Sequence, residues 1–360
     1  MTNHRQVFVI VVVPLLTLLG TASIRTTFAQ TNTSVENPDR HYGRARITAE
    51  RGMKITLGNR TTGRITVNGW DRDLIEAHAV SERGEEVVIA IPSNDLGDKK
   101  LFLKADYADL DQPAAPTSHV GEPPQANGSN LKVHFEVSVP RYIEFDVIRV
   151  QRSDVQVTGV ETAISVWGGQ SSVILKRVGS VEARTRSGNV EIENAEGSVS
   201  IATAAGGVRV HRVQGNVRVV SISGPIEIKC VQGRVEVANT EAPIDLVNIK
   251  GEVKASAANS SVRFMGSLPD DGNYDLKSLT GRVEMILPTN TNGFNATLSS
   301  YQGMIESDFN LKSDQPVIEG PQGRRLIGRF GSGKSQISLD SFNGLVRLTK
   351  VPPGKMEGCK

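Results

Sequence analysis

Through the middle of the chain, apolar and polar positions recur with a nine-residue period. A turn residue, usually Gly, is followed two and four positions later by an apolar pair. The series runs from Val155/Val157 and Ile164/Val166 through Val190/Ile192, Val208/Val210 and Ile226/Ile228 to Val262/Phe264. Thirteen pairs fit, and all 26 positions are apolar. One step, from Ser171 to Gly179, is eight residues instead of nine. Apolar-polar-apolar alternation predicts a short strand with both apolar side chains on one face. A lone strand cannot bury that face, so the units must stack.

The turns come in two kinds. Ala195-Glu196-Gly197, Val213-Gln214-Gly215 and Val231-Gln232-Gly233 have an apolar residue two before the Gly. Thr185-Arg186-Ser187-Gly188 and Ser221-Ile222-Ser223-Gly224 have hydroxyls at the corner, one and three before the Gly. Each kind recurs every 18 residues, which predicts the repeating coil: two strands and two corners. The expected fold is all-β, a β-solenoid of stacked two-strand coils of about 18 residues each. Gly is expected at the corners because the chain often takes positive φ there.

With this coil length, the polar residue between each apolar pair stacks on its counterpart one coil away. One outer column should read Glu191, Arg209, Glu227, Asp245, Arg263, and the other Glu182, Ser200, Arg218, Glu236, Lys254. Opposite charges are neighbours more often than like charges, so these columns read as salt-bridged, solvated faces and not as a carboxylate catalytic groove. The same grammar appears at Gly63–Val67, Gly281–Met285, Ser335–Leu339 and Gly344–Leu348. Strands are therefore expected from Arg44 to Lys350 in one domain (44–350). A dozen coils at about 4.8 Å each would make a rod on the order of 60 Å. Two stretches break the pattern: the proline-rich insert Pro92–Asn130, expected to be an irregular loop, and Gly266–Thr280.

Residues 1–29 read as a signal peptide. Val7–Leu19 is nearly unbroken apolar, too short for a spanning helix, and Thr27-Phe28-Ala29 offers a cleavage site before Gln30. Residues 30–43 are expected to be a flexible segment and 351–360 a C-terminal tail. The mature chain is expected outside the cytoplasm (periplasmic, cell-surface or secreted), meeting a membrane only during export. Cys230 and Cys359 are the two cysteines. Pairing them would need the tail to fold back, so free thiols, or an intermolecular link through Cys359, are expected. Lys+Arg (41) and Asp+Glu (39) nearly balance, without a basic run, which argues against nucleic acid as a partner.

Candidate chemistry is sparse. Gly328–Ser335 fits the phosphate-loop spacing, but Gln336–Asp340 alternates as a strand where that loop needs a helix. It reads as a Gly-rich turn, with no nucleotide. The corners lack the regular Asp of a calcium roll, and Asp106, Asp109 and Asp111 lack a full oxygen set. The histidines fall in no zinc pattern and no nucleophile elbow is present, so no catalytic residue, metal or cofactor is expected. The candidate ligand contacts are Trp70, Asp71 and Asp73, which follow a strand, and Tyr107 in the insert.

Gly63-Arg64-Ile65-Thr66-Val67-Asn68-Gly69-Trp70-Asp71, Val137-Ser138-Val139-Pro140, the Gly-x-Val-x-Val ladder, Ser307-Asp308-Phe309, and Gly331-Ser332-Gly333-Lys334 leading into Asn343-Gly344 resemble the bacterial putative-adhesin family. The resemblance spans nearly all of the mature chain. It implies a β-solenoid, an envelope location and no catalytic residues. The expected function is a non-catalytic exported binding or scaffold protein, adhesin-like, contacting a glycan, an envelope component or a surface protein. The alternative is a carbohydrate-active solenoid hydrolase or lyase with carboxylates on a sheet face.

Overall fold

The structure, a computed structural model, describes residues 40–84, 87–90, 100–106, 132–313, 318–320, 323–356 and 358–359. The chain divides into Met1–Asn37 and Pro38–Lys360, and the described residues all belong to the second unit. The proposed signal peptide, Tyr107, Asp109 and Asp111 lie outside the described residues.

The described strands join into one 28-stranded sheet that winds as a solenoid. Through the repeat, each strand from Ile164–Gln170 to Val262–Met265 pairs in parallel with the strand two further along the chain. On the front face, Val173–Val178, Val190–Ala195, Val208–Val213, Ile226–Gln232, Ile244–Lys250 and Val262–Met265 stack in that order. On the back face, Ile164–Gln170, Val181–Ser187, Val199–Ala205, Val217–Ser223, Val235–Asn239 and Val253–Ala257 do the same. Val190 is in register with Val208, Ile226, Ile244 and Val262, so the coil is 18 residues. Every residue of the thirteen apolar pairs is buried. Each such Val or Ile contributes about 1.5–3 kcal/mol of burial, which the stack collects coil by coil.

The polar ladders also fall as expected. Glu191 is followed in register by Arg209, Glu227, Asp245 and Arg263, and Glu182 by Ser200, Arg218, Glu236 and Lys254. Arg218 Nη1 lies 2.7 Å from Glu236 Oε2, and Arg263 Nε 3.4 Å from Asp245 Oδ1. A third polar ladder faces inward: Thr185, Thr203, Ser221 and Asn239 are buried at one corner, where Thr185 Oγ1 donates to Thr203 Oγ1 at 3.0 Å.

The two Gly columns have different causes. Gly206 takes φ +108, a conformation that favours glycine, and a Cβ there would run into the Gly188 carbonyl. Gly215 has no such φ. It is required because a Cβ would press against the Gly197 carbonyl one coil below.

Both ends of the stack turn antiparallel. Leu74–Ser81 pairs antiparallel with Lys132–Pro140 and Arg44–Thr48, and Gly323–Gly331 with Gly293–Ser300. Three expectations are corrected here. Within the stretch expected to be irregular, Lys100–Asp106 is a strand parallel to Lys54–Gly58, with Leu101 and Leu103 buried. Its two-leucine alternation is too short to stand out among flanking prolines. Arg40–Tyr42, expected to be flexible, is a strand pairing with Val88–Ala90. Asn273–Ser278, inside the second interruption, is a regular member of the back stack because Tyr274 and Leu276 take the inward places.

The cysteines are the largest correction. Cys230 and Cys359 form a disulfide, with Cα atoms 5.7 Å apart, and no cysteine is free. Val351 sits beside Pro288 at the end of the stack, whereas Cys230 lies on the strand Ile226–Gln232. The tail therefore folds back past three coils. The outward column at this place reads Glu193, His211, Lys229, Val247, Met265, Ile286. It changes from charged to apolar where the tail passes, and there Val247 is 1% exposed and Ile286 9%.

Candidate functional site

A groove of 430 Å³ runs along one corner of the solenoid, from Arg141 and Glu161 at one end to Lys250 and Cys359 at the other. It is built by a left-handed residue repeated once per coil. Arg177, Asn194, Arg212, Cys230 and Asn248 have φ between +53 and +60. Such a conformation is costly for a side-chain-bearing residue and marks places where a fold tolerates strain. It breaks the two-residue alternation. In Glu193-Asn194-Ala195, two successive polar residues stay outside before Ala195 turns back into the core. Val178, Ala195, Val213 and Val231 form the groove floor, with Glu196, Gln214, Gln232 and Lys250 along the other side. Polar and cationic groups thus recur at the coil spacing of about 4.8 Å.

The sequence-selected residues gather behind the groove's first end instead of lining it. Arg141 Nε donates to Asp71 Oδ1 at 2.8 Å, and Arg141 Nη1 lies 4.0 Å from Glu161. The Asp71 carboxylate raises the Arg141 pKa above its ordinary value. The Arg141 guanidinium lies where a side chain on Gly159 (φ +76) would stand, so the glycine makes room for it. The Tyr142 hydroxyl donates to Asp73 Oδ1 at 2.7 Å, which raises its pKa. Trp70 is half-buried. Its Nε1 donates to the Leu74 carbonyl at 2.8 Å, and Arg72 lies over the ring at 5.0 Å. Trp70, Asp71 and Asp73 therefore fix the turn that presents Arg141. Tyr107 lies outside the described residues.

The middle of the groove adjoins an ionic cluster. Glu193 accepts from Arg212 Nη2 at 2.6 Å and lies 3.2 Å from Lys176 Nζ. Lys176 and Arg212 hold its carboxyl below the usual range. Burial, then the charge of Arg212, lowers the His211 pKa and favours the neutral imidazole. Arg177 and Glu196 have no ion-pair partner among the described residues. Sequence reading missed this groove because its defining residues share a backbone conformation and no chemistry. The available signal was the doubled polar position, as in Glu193-Asn194 and His211-Arg212.

Elsewhere, the phosphate-loop look-alike is a turn between the strands Gly323–Gly331 and Ser335–Ser341. Lys334 Nζ lies 3.2 Å from Asp270, and Ser335 Oγ donates to the Pro269 carbonyl at 2.5 Å. Among the described residues no group of three or more His, Cys, Asp or Glu is placed to hold a metal ion.

Among solved structures, the chain resembles a "putative adhesin" from Parabacteroides merdae (11% identity, 69% of this chain and 97% of that one, TM-score 0.41). It also resembles a "putative cell adhesion protein" from Clostridium sporogenes (11%, 86% and 100%, TM-score 0.18). A third is a "putative lipid binding protein" from Parabacteroides distasonis (12%, 70% and 94%, TM-score 0.34). At these scores nothing about ligand or activity follows from the likeness. No curated protein matches significantly. The family model for Toastrack DUF4097 matches residues 21–349, nearly the whole chain, and the protein belongs to that family.

Proposed function

We infer that the protein is an exported, non-catalytic binding scaffold of the cell envelope, adhesin-like, which grips an extended partner along the corner groove. Candidate partners are a glycan, an envelope component or a surface protein. The observation that carries this reading is the groove's composition. Cations (Arg141, Arg177, Arg212, Lys250) and amides (Asn194, Gln214, Gln232, Asn248) repeat coil by coil over an apolar floor. Many weak, evenly spaced contacts suit a long ligand with its own repeat. An acid-base hydrolase would need two carboxyl groups, one of them with a raised pKa. Lys176 and Arg212 hold the Glu193 carboxyl below the usual carboxylate range, against the raised value a general acid needs. Glu161 sits beside Arg141, two coils from Glu196.

The test is retention of envelope fractions by the immobilised chain from Gln30 onward, beside the Arg177→Glu/Gln214→Ala/Gln232→Ala variant and a deletion of 107–131. Retention by wild type that the groove variant loses is expected. Loss on deletion alone would move recognition to the insert, and no retention by any form would sink the binding reading.

A further inference from the structure

A second surface lies away from the groove, on the outer side of the back face. Trp167 is 43% exposed there and lines a hollow of 730 Å³. The indole is pinned: Arg149 lies 5.0 Å and Arg184 5.9 Å from its ring centroid, on the coils before and after it. An indole gives a large, rigid apolar surface with one polar N–H, and a pinned one loses little freedom on binding.

Two columns run side by side from this residue. The Trp167 column continues through Arg184 to Ala202, Val220 and Ala238, a low apolar strip with Val220 44% exposed. Beside it, the hollow is lined by Ser165, Ser180, Ser198, Ser200 and Asn216. Ser200 interrupts the charged column between Glu182 and Arg218, so the centre carries hydroxyls where the flanks carry charge. Four carboxylates line the rim, Glu144, Asp146, Glu182 and Glu236, and all but Asp146 are held in ion pairs among the described residues. Glu182 lies 2.6 Å from Arg184, Glu236 2.7 Å from Arg218 and Glu144 2.9 Å from Lys54.

An apolar strip parallel to a hydroxyl strip complements a ligand with one C–H face and one hydroxyl edge. That is the chemistry of an extended chain of pyranose rings. The hydroxyl-lined centre, the three paired carboxylates and the further negative charge of Asp146 favour an uncharged saccharide over a polyanion. We propose that the Trp167 hollow is a binding site for a neutral oligosaccharide, with the pyranose faces over Ala202 and Val220, one end against the exposed part of the Trp167 indole that Arg149 and Arg184 leave open, and the hydroxyls on Ser198, Ser200 and Asn216. The site rests on the reading of the chain as a binding protein, and not on the groove.

Trp70 and Trp167 are the only tryptophans, so the test can be optical. In Trp70→Phe, Trp167 reports alone. Fluorescence is titrated with cellotetraose, chitotetraose and maltotetraose, with oligogalacturonate as the charged control. Calorimetry follows Trp167→Ala and the hollow-filling Ser200→Arg. At least one neutral tetrasaccharide should give a saturable change, weakened about tenfold or more by either substitution, as for a central aromatic anchor. Binding of oligogalacturonate alone would overturn the neutral class. Binding of a neutral sugar that both substitutions leave unchanged would overturn the site. If no sugar binds while envelope fractions are still retained through the groove, the saccharide site fails and the scaffold reading stands.

Discussion

Cutting the Cys230–Cys359 disulfide should loosen the C-terminal coils measurably. The bond closes a loop of sequence separation 129. The chain-entropy relation for a closed loop of this length gives about 5 kcal/mol at 25 °C, a ceiling that local fraying in the unfolded reference state would lower. With roughly 320 residues in the unit that carries the solenoid, unfolding entropy at the usual per-residue value converts that ceiling into about 7 °C of melting temperature. Stacked coils can fray from one end, so the loss should concentrate in the last four coils, which the tail spans between Val351 and Cys359 and where the outward Val247 and Ile286 are buried. The assay is calorimetry with hydrogen exchange on wild type, Cys359→Ser, Cys230→Ser and the double variant. All three variants should melt several degrees lower than wild type and by similar amounts, and exchange should rise over residues 244–288 but not over 173–213. Variants that melt within 1 °C of wild type, or that lose protection evenly along the stack, would refute the latch.

Further expectations follow from the corners, the core and the charges. Gly206→Ala places a Cβ against the Gly188 carbonyl at φ +108, so it should cost well over ~1 kcal/mol in denaturant unfolding. Gly52→Ala, at φ +81 with open space around it, should cost less. Ile228→Ala empties a fully buried position and should cost about 2–5 kcal/mol, read as a shifted urea midpoint. His211 has a folded pKa below its unfolded value, so the unfolded chain binds the extra proton. Its stability contribution is present at pH 7 and above and is lost as pH falls through the ordinary histidine range near 6.5. His211→Gln should flatten the decline in melting temperature between pH 7 and 5, and an unchanged slope would contradict the assignment.

The repeat was legible because its physics is local. Val190, Ile192 and the residues 18 apart from them state both strand period and coil length, and the columns of Glu191 and Glu182 follow by arithmetic. The disulfide was not legible, because pairing Cys359 with Cys230 depends on how many coils separate Val351 from the strand Ile226–Gln232. The shift from Lys229 to Val247, Met265 and Ile286 in one outward column was the available hint. The groove was hidden because Arg177, Asn194, Arg212, Cys230 and Asn248 share only a positive φ. Trp70, Asp71 and Asp73, expected as ligand contacts, stand behind the groove's first end, where the two carboxylates hold Arg141 and Tyr142.

Recognition along the corner groove is tested most directly by site-specific photo-crosslinking in intact envelopes. A benzophenone side chain is placed at Gln214 or Gln232 in the groove, or at Glu227 on the front face as a control. The groove positions should capture one common species that the Arg177→Glu change abolishes, while Glu227 captures none of it. Equal capture at all three positions, or capture at Glu227 alone, would contradict recognition through the groove.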